Sequence, residues 1–148
     1  MQIRCASSGD LDAIHALGLA TPELQVSSSG AFMEREELLS AINELNATFL
    51  VAEDADRIIG FVYANHRDPE RGPRTTIACL VYLVVQPGLR RIGVAQCLYD
   101  ACLDELKGHG ITSIYGWVHG EPGSPIRTFM ERNGFRAGHR YTWMDKDI

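Results

Sequence analysis

One stretch of this chain carries residue types and spacing suited to holding an anion: Leu83-Val-Val-Gln-Pro-Gly-Leu-Arg-Arg-Ile-Gly-Val-Ala95. An apolar, strand-like run stops at Pro87, a short turn holds Arg90 and Arg91, and a helical pattern begins around Gly93. The first turn of a helix has N–H groups without intrahelical partners and the positive end of the dipole. A glycine there lets backbone approach a ligand with no Cβ in the way. The arginines add charge matched to phosphate. Together these features make a seat for a pyrophosphate. The same residues also describe an ordinary strand-to-helix turn with solvated arginines, and from them alone both readings stand. Two other phosphate-loop patterns, G-x-x-x-x-G-K-S/T and G-x-G-x-x-G, are absent.

The remaining reactive residue types point less sharply. Cys5, Cys79, Cys97 and Cys102 include no C-x-x-C pair, and no histidine lies at metal-ligand spacing from them, so no metal site is expected. Cys79 and Cys97 read as small core residues in a reducing compartment. The chain has 148 residues and a formal net charge of −5. That acidic balance argues against a general nucleic-acid binder, which carries a basic face. The longest uninterrupted apolar run, Ile77–Val85, is less than half of the ~20 residues that a spanning helix needs, so no membrane partner is expected. The start, Met-Gln-Ile-Arg-Cys-Ala, has no basic segment followed by an apolar one, which reads as a cytoplasmic protein without a signal peptide.

The order of elements along the chain defines what positions the anion seat. Ile3–Ala6 is a short strand. Ser8 and Asp10 offer N-cap oxygens to a helix with Leu11, Ile14 and Leu17 at helical spacing. Thr21–Met33, with Pro22, three serines and Gly30, is a loop, and a helix follows from about Glu34 to Asn46. Thr48–Glu53 and Ile58–Asn65 flank a turn and form a hairpin. Asp68–Pro73 is a turn rich in breakers. Thr75–Val85, apolar at nearly every position, is a central strand covered on both faces. A third helix runs from about Arg91 to Lys107, with Val94, Leu98, Ala101 and Leu106 along one face. Thr112–His119 is another strand, Ser124-Pro125 caps and opens a fourth helix, and Phe135–Met144 supplies one or two final strands. The length suits a single domain over residues 1–148. The order calls for a mixed α/β sheet.

Here the sequence resembles the GNAT superfamily of N-acetyltransferases. Their signature is a strand, V-x-P, then R/Q-x-x-G-x-G/A opening a helix; this chain has Val85-Gln86-Pro87 and Arg90-Arg91-Ile92-Gly93-Val94-Ala95. The family's later F-Y-E-K-N-G-F segment is similar to Phe129-Met-Glu-Arg-Asn-Gly-Phe135, and its I-I-G-F strand pattern to Ile58-Ile-Gly-Phe61. The resemblance implies a mostly antiparallel, mixed sheet of six to seven strands flanked by about four helices, with the fourth and fifth strands splayed apart. It implies acetyl-CoA as co-substrate, its pantetheine arm on the main chain near Leu83 and Val85, and its pyrophosphate on the N–H groups of Arg91, Ile92, Gly93, Val94 and Ala95, with Arg90 beside them. Ser124 stands where many members have an Asn that contacts the cofactor arm.

The reaction so implied is direct attack of a primary amine, on a small molecule or a peptide terminus, on the acetyl thioester. An alkylammonium of pKa about 10 must first lose a proton, and the leaving thiolate can take one up. The usual acid, a Tyr, is replaced by Met130, which has no proton to give. A base used by some members, a Glu on the fourth strand, is replaced by Cys79. His119 is the base candidate named here, because imidazole titrates near neutrality; a solvent-exposed strand-end His and a water chain are the plainer alternatives. Glu53, His66 and Tyr141 are further candidates. The substrate wall is expected from Thr21–Met33, His66–Arg74 and the C-terminal strands, with Glu23, Glu34, Glu36 and Glu37 able to attract a cation or simply to suit a helix start. Phe32 and Met33 suit either a lid or a hydrophobic anchor. The absent Tyr and Glu also fit a non-catalytic module that binds or senses acetyl-CoA, and terminal strands such as Tyr141–Met144 suit pairing into a homodimer.

Overall fold

The computed structural model describes residues 1–25, 32–66, 76–118 and 123–139, with 142, 144, 146 and 148. The Asp68–Pro73 turn, His119 and Tyr141 lie outside the described residues. The chain separates into two compact units, Met1–Gly116 and Trp117–Ile148.

The first unit holds β1 (Gln2–Cys5), α1 (Leu11–Leu19), α2 (Arg35–Ile42), β2 (Ala47–Asp54), β3 (Arg57–Asn65), β4 (Ile77–Val85), α3 (Val94–Gly108) and β5 (Ser113–Gly116). The strands form one sheet in the order β1-β2-β3-β4-β5. Neighbours are antiparallel except β4 and β5, which are parallel. The expected mixed, mostly antiparallel sheet is therefore present, with five strands among the described residues. The hairpin between β2 and β3 closes through Ala55 and Asp56, both left-handed (φ 47° and 60°). A two-residue turn of that hand matches the strand twist.

Alternation along the strands sends Phe49, Val51, Phe61, Tyr63 and Val84 to one face, where they pack with Ile14 and Leu17 of α1, Leu38 and Ala41 of α2, and Phe32. Phe32 is the hydrophobic anchor of the two readings above: it is buried, and its ring lies 5.9 Å from Phe61 and 5.2 Å from Tyr82. α3 covers β2, β3 and β4 from the other side through Val94, Leu98, Tyr99, Cys102 and Leu106. Cys97, read above as a core residue, is exposed. The buried stripe advances by four residues from Val94 through Leu98 and Cys102 to Leu106, which turns position 97 away from the sheet. Cys79 is half-buried.

Several boundaries differ from expectation. α2 ends at Ile42 rather than near Asn46, and α3 begins at Val94 rather than Arg91. A 3-10 turn, Ser8–Asp10, leads into α1; its reciprocal cap is Ser7 with Asp10, and Asp10, not Ser8, is the N-cap residue of α1. Asp10 is then held by Arg4 through two bonds of 2.8 Å.

In the second unit, α4 (Pro125–Arg132) starts as expected: Ser124 Oγ accepts from the Arg127 amide, and Pro125 opens the helix. Phe135–His139, read above as the start of a final strand, has no strand structure. It follows Gly134 (φ 84°), whose left-handed turn ends α4 with the Phe135 amide bonded back to Met130. Among the described residues, no helix is long and apolar enough to cross a membrane.

Candidate functional site

The site begins with the pairing of β4. Its parallel partner accompanies it only from Ile77↔Ser113 to Leu80↔Gly116, whereas on its other side β3 stays paired as far as Gly60↔Val85. Among the described residues, Val81–Val85 therefore has no strand partner on the β5 edge. The ladder decides which groups face that edge. The Gln86 amide donates to the Ile59 carbonyl at 2.9 Å. In an antiparallel ladder such inward pairs alternate. Val84 and Tyr82 thus bond toward β3, and the main-chain groups of Leu83 and Val85 point to the open edge. An open edge of this kind is a place for a strand-like ligand to add.

β4 then runs into a tight connection. Pro87–Leu89 makes one turn of 3-10 helix, Arg91 is left-handed (φ 68°), and Gly93 is left-handed (φ 93°) immediately before α3. A non-glycine residue at positive φ stores roughly 1–3 kcal/mol and is met most often where backbone is shaped for a purpose. A Cβ at Gly93 would meet nothing within 4 Å. Its glycine is thus favoured by the dihedral angle rather than by crowding, and the space above it is open. The first intrahelical bond of α3, from the Cys97 amide to the Gly93 carbonyl at 3.0 Å, leaves the Val94 and Ala95 amides at the free helix start. Left-handed turns next to a helix N-terminus make a concave set of N–H groups suited to an anion.

The arginines divide. Arg91 is exposed beside this turn. Arg90, expected to add charge for phosphate, is already engaged. Its guanidinium meets Glu23 at 2.6 and 3.2 Å, and its Nε donates to the Val85 carbonyl at 3.3 Å. The Arg90 hydrogen bond holds Glu23 below the usual carboxylate range. This pair spans distant parts of the sequence, and no local spacing announces it.

On the α1–α2 face, Met33, Glu37, Ser40, Ala41, Glu44 and Tyr63 line an open cavity of about 160 Å³. Tyr63 pairs with Tyr82 across the ladder, one residue from Leu83. Burial, and then the nearby carboxylates, push both phenols above their ordinary range.

Other base candidates sit elsewhere. Glu53 accepts from Arg4 Nε at 2.6 Å. His66 follows the end of β3 that pairs with Cys79, away from the end that meets Val85. It is buried and bonded to Thr48 Oγ1 at 2.8 Å. Met130 is buried on α4, which is sufficient reason for an apolar residue there. Among the described residues, no group of three or more His, Cys, Asp or Glu side chains is arranged to hold a metal.

A family model described as "Acetyltransferase (GNAT) family" matches residues 17–135. The chain belongs to the GNAT acetyltransferase family. Membership makes it an acetyltransferase with acetyl-CoA as acyl donor. No sequence among the curated proteins matches it. Among solved structures it is similar to the PaiA N-acetyltransferase from Thermoplasma acidophilum in complex with coenzyme A (22% identity, 93% of this chain and 90% of that one, TM-score 0.74). It is similar also to the aminoglycoside N-acetyltransferase AAC(6')-Iy in complex with CoA (19%, 99% and 100%, TM-score 0.72). A third is the ribosomal-protein-alanine N-acetyltransferase from Brucella melitensis (20%, 90% and 83%, TM-score 0.74). At these identities the structures establish a shared GNAT fold.

Proposed function

We propose that the chain is a cytoplasmic N-acetyltransferase that binds acetyl-CoA along the open edge of β4 and transfers its acetyl group to a primary amine. The edge at Leu83 and Val85, without a strand partner among the described residues and running directly into the left-handed turn before α3, carries this reading. The pantetheine arm bonds Leu83 and Val85 as an added strand, and the diphosphate rests on the amides from Arg91 to Ala95. The amine approaches from the α1–α2 face, where the carboxylates of Glu37 and Glu44 favour an ammonium group. After the ammonium loses its proton, the nitrogen lone pair attacks the thioester carbonyl, an N–C bond forms, and the C–S bond breaks. The thiolate takes a proton from water, since Met130 offers none. His119 and a water chain remain the proposed routes for the amine proton, and Ser124 a proposed contact to the arm. We read residues 1–148 as one catalytic domain, supported by a family match that runs through both compact units.

The test is release of free CoA thiol from acetyl-CoA with a panel of small amines and peptides, followed by the mass of the acceptor. Acetylated amine with stoichiometric thiol is the expected result. Tight CoA binding with no transfer to any amine would instead favour a binding or sensing module.

A further inference from the structure

The Glu23–Arg90 pair lies at the open edge in an arrangement that neither expected role, phosphate charge for Arg90 or substrate wall for Glu23, includes. Arg90 Nε occupies the Val85 carbonyl, one of the groups aimed at that edge. Buried or strand-edge carbonyls without a strand partner need some donor, and here a side chain supplies it. Glu23 holds both terminal nitrogens of the guanidinium in a two-point pairing, at 2.6 and 3.2 Å, a geometry that fixes the direction of an arginine as well as its position. It comes from the Pro22–Leu24 turn, far from β4 in sequence. The pair does two things to an incoming thioester nucleotide. It places a guanidinium where the arm would bond Val85, and it neutralises a positive charge a few residues from the diphosphate seat.

We infer that Glu23 is a positioning residue that acts through Arg90: it holds the guanidinium on the Val85 carbonyl, so acetyl-CoA must displace Arg90 from that carbonyl as its arm docks, and Glu23 thereby weakens cofactor binding. This rests on the cofactor reading above and assigns Glu23 no contact with reacting atoms.

The test compares the affinities of CoA and of ADP, which has the diphosphate without the arm, for the full chain and for Glu23→Gln. Freeing Arg90 adds charge for both ligands but opens Val85 only to CoA. Glu23→Gln should therefore bind CoA roughly two- to five-fold more tightly, the range set by a partly exposed ion pair, with a smaller gain for ADP. Arg90→Gln removes the guanidinium from the Val85 carbonyl and one positive charge with it, which weakens both ligands' diphosphate equally, so the ratio of CoA to ADP affinity should still rise; an unchanged or lower ratio also overturns the inference. An equal gain for both ligands in Glu23→Gln, or no gain or a loss for CoA, overturns the inference while leaving the cofactor reading intact. A wild-type chain that binds no CoA overturns the cofactor reading itself.

Discussion

At the scale of single residues, Gly93 separates backbone geometry from charge. Its φ of 93° disfavours most side chains, but asparagine tolerates that region. Gly93→Asn should keep the turn and bind CoA close to wild type. Gly93→Asp has nearly the same shape and adds a negative charge at the diphosphate seat, which should weaken CoA by about tenfold or more. Isothermal calorimetry on both variants decides it; equal affinities would remove the anion from this turn. A second residue-scale prediction concerns His66. Burial first, and then the His109 ring 5.0 Å away, hold its imidazole below its usual range. The unfolded chain then binds more protons near pH 6, so stability is full above about pH 6.5 and falls as pH drops. Asp10, lowered to about 2 chiefly by Arg4, stays ionised through that interval. The Tm should decline between pH 7.5 and 5.5, and His66→Gln should flatten the decline; an unchanged slope would remove His66 as its source.

At the scale of elements, the site depends on β4 being held from one side only. Gly60 makes this close pairing feasible: a Cβ there would stand 2.8 Å from the Val84 carbonyl oxygen and 3.1 Å from the Leu98 side chain. Gly60→Ala must push β3, β4 and α3 apart and should cost about 1–3 kcal/mol, read as a lower urea midpoint; a midpoint equal to wild type would mean that the sheet yields freely at this point. The periodic elements were legible from residue order. The two apolar runs of β2 and β3 on either side of the Asp54–Arg57 turn, the apolar run of β4 and the stripe of α3 are each set by residue order. Cys97 differs from expectation because the buried stripe runs through Val94, Leu98, Cys102 and Leu106, and the helical phase places position 97 outside it. Of the expected Phe135–Met144 strands, Phe135–His139 is not a strand because the left-handed turn at Gly134 bonds the Phe135 amide back to Met130, and residues 140, 141 and 143 lie outside the described residues. The open edge was expected only through resemblance, since nothing in the composition of Leu83 or Val85 says where β5 stops.

At the scale of the whole molecule, the sheet joins two chemically different surfaces. The turn from β4 to α3 offers amides and an arginine to an anion, while the cavity beside α2 offers carboxylates to a cation. That separation suits a reaction between a polyanionic donor and an ammonium-bearing acceptor. The motif at Arg90–Ala95 could be read from the sequence because its residues are adjacent. The engagement of Arg90 by Glu23, and the meeting of Glu37 and Glu44 with Tyr63, could not, because folding alone brings such distant positions together. The most direct measurement is a crystal structure of the chain with CoA. Diphosphate oxygens should lie within hydrogen-bond distance of the amides between Arg91 and Ala95, with the arm bonded to Leu83. A diphosphate seated elsewhere, with the amides opening α3 bonded to water or to a neighbouring side chain, would contradict the proposed seat.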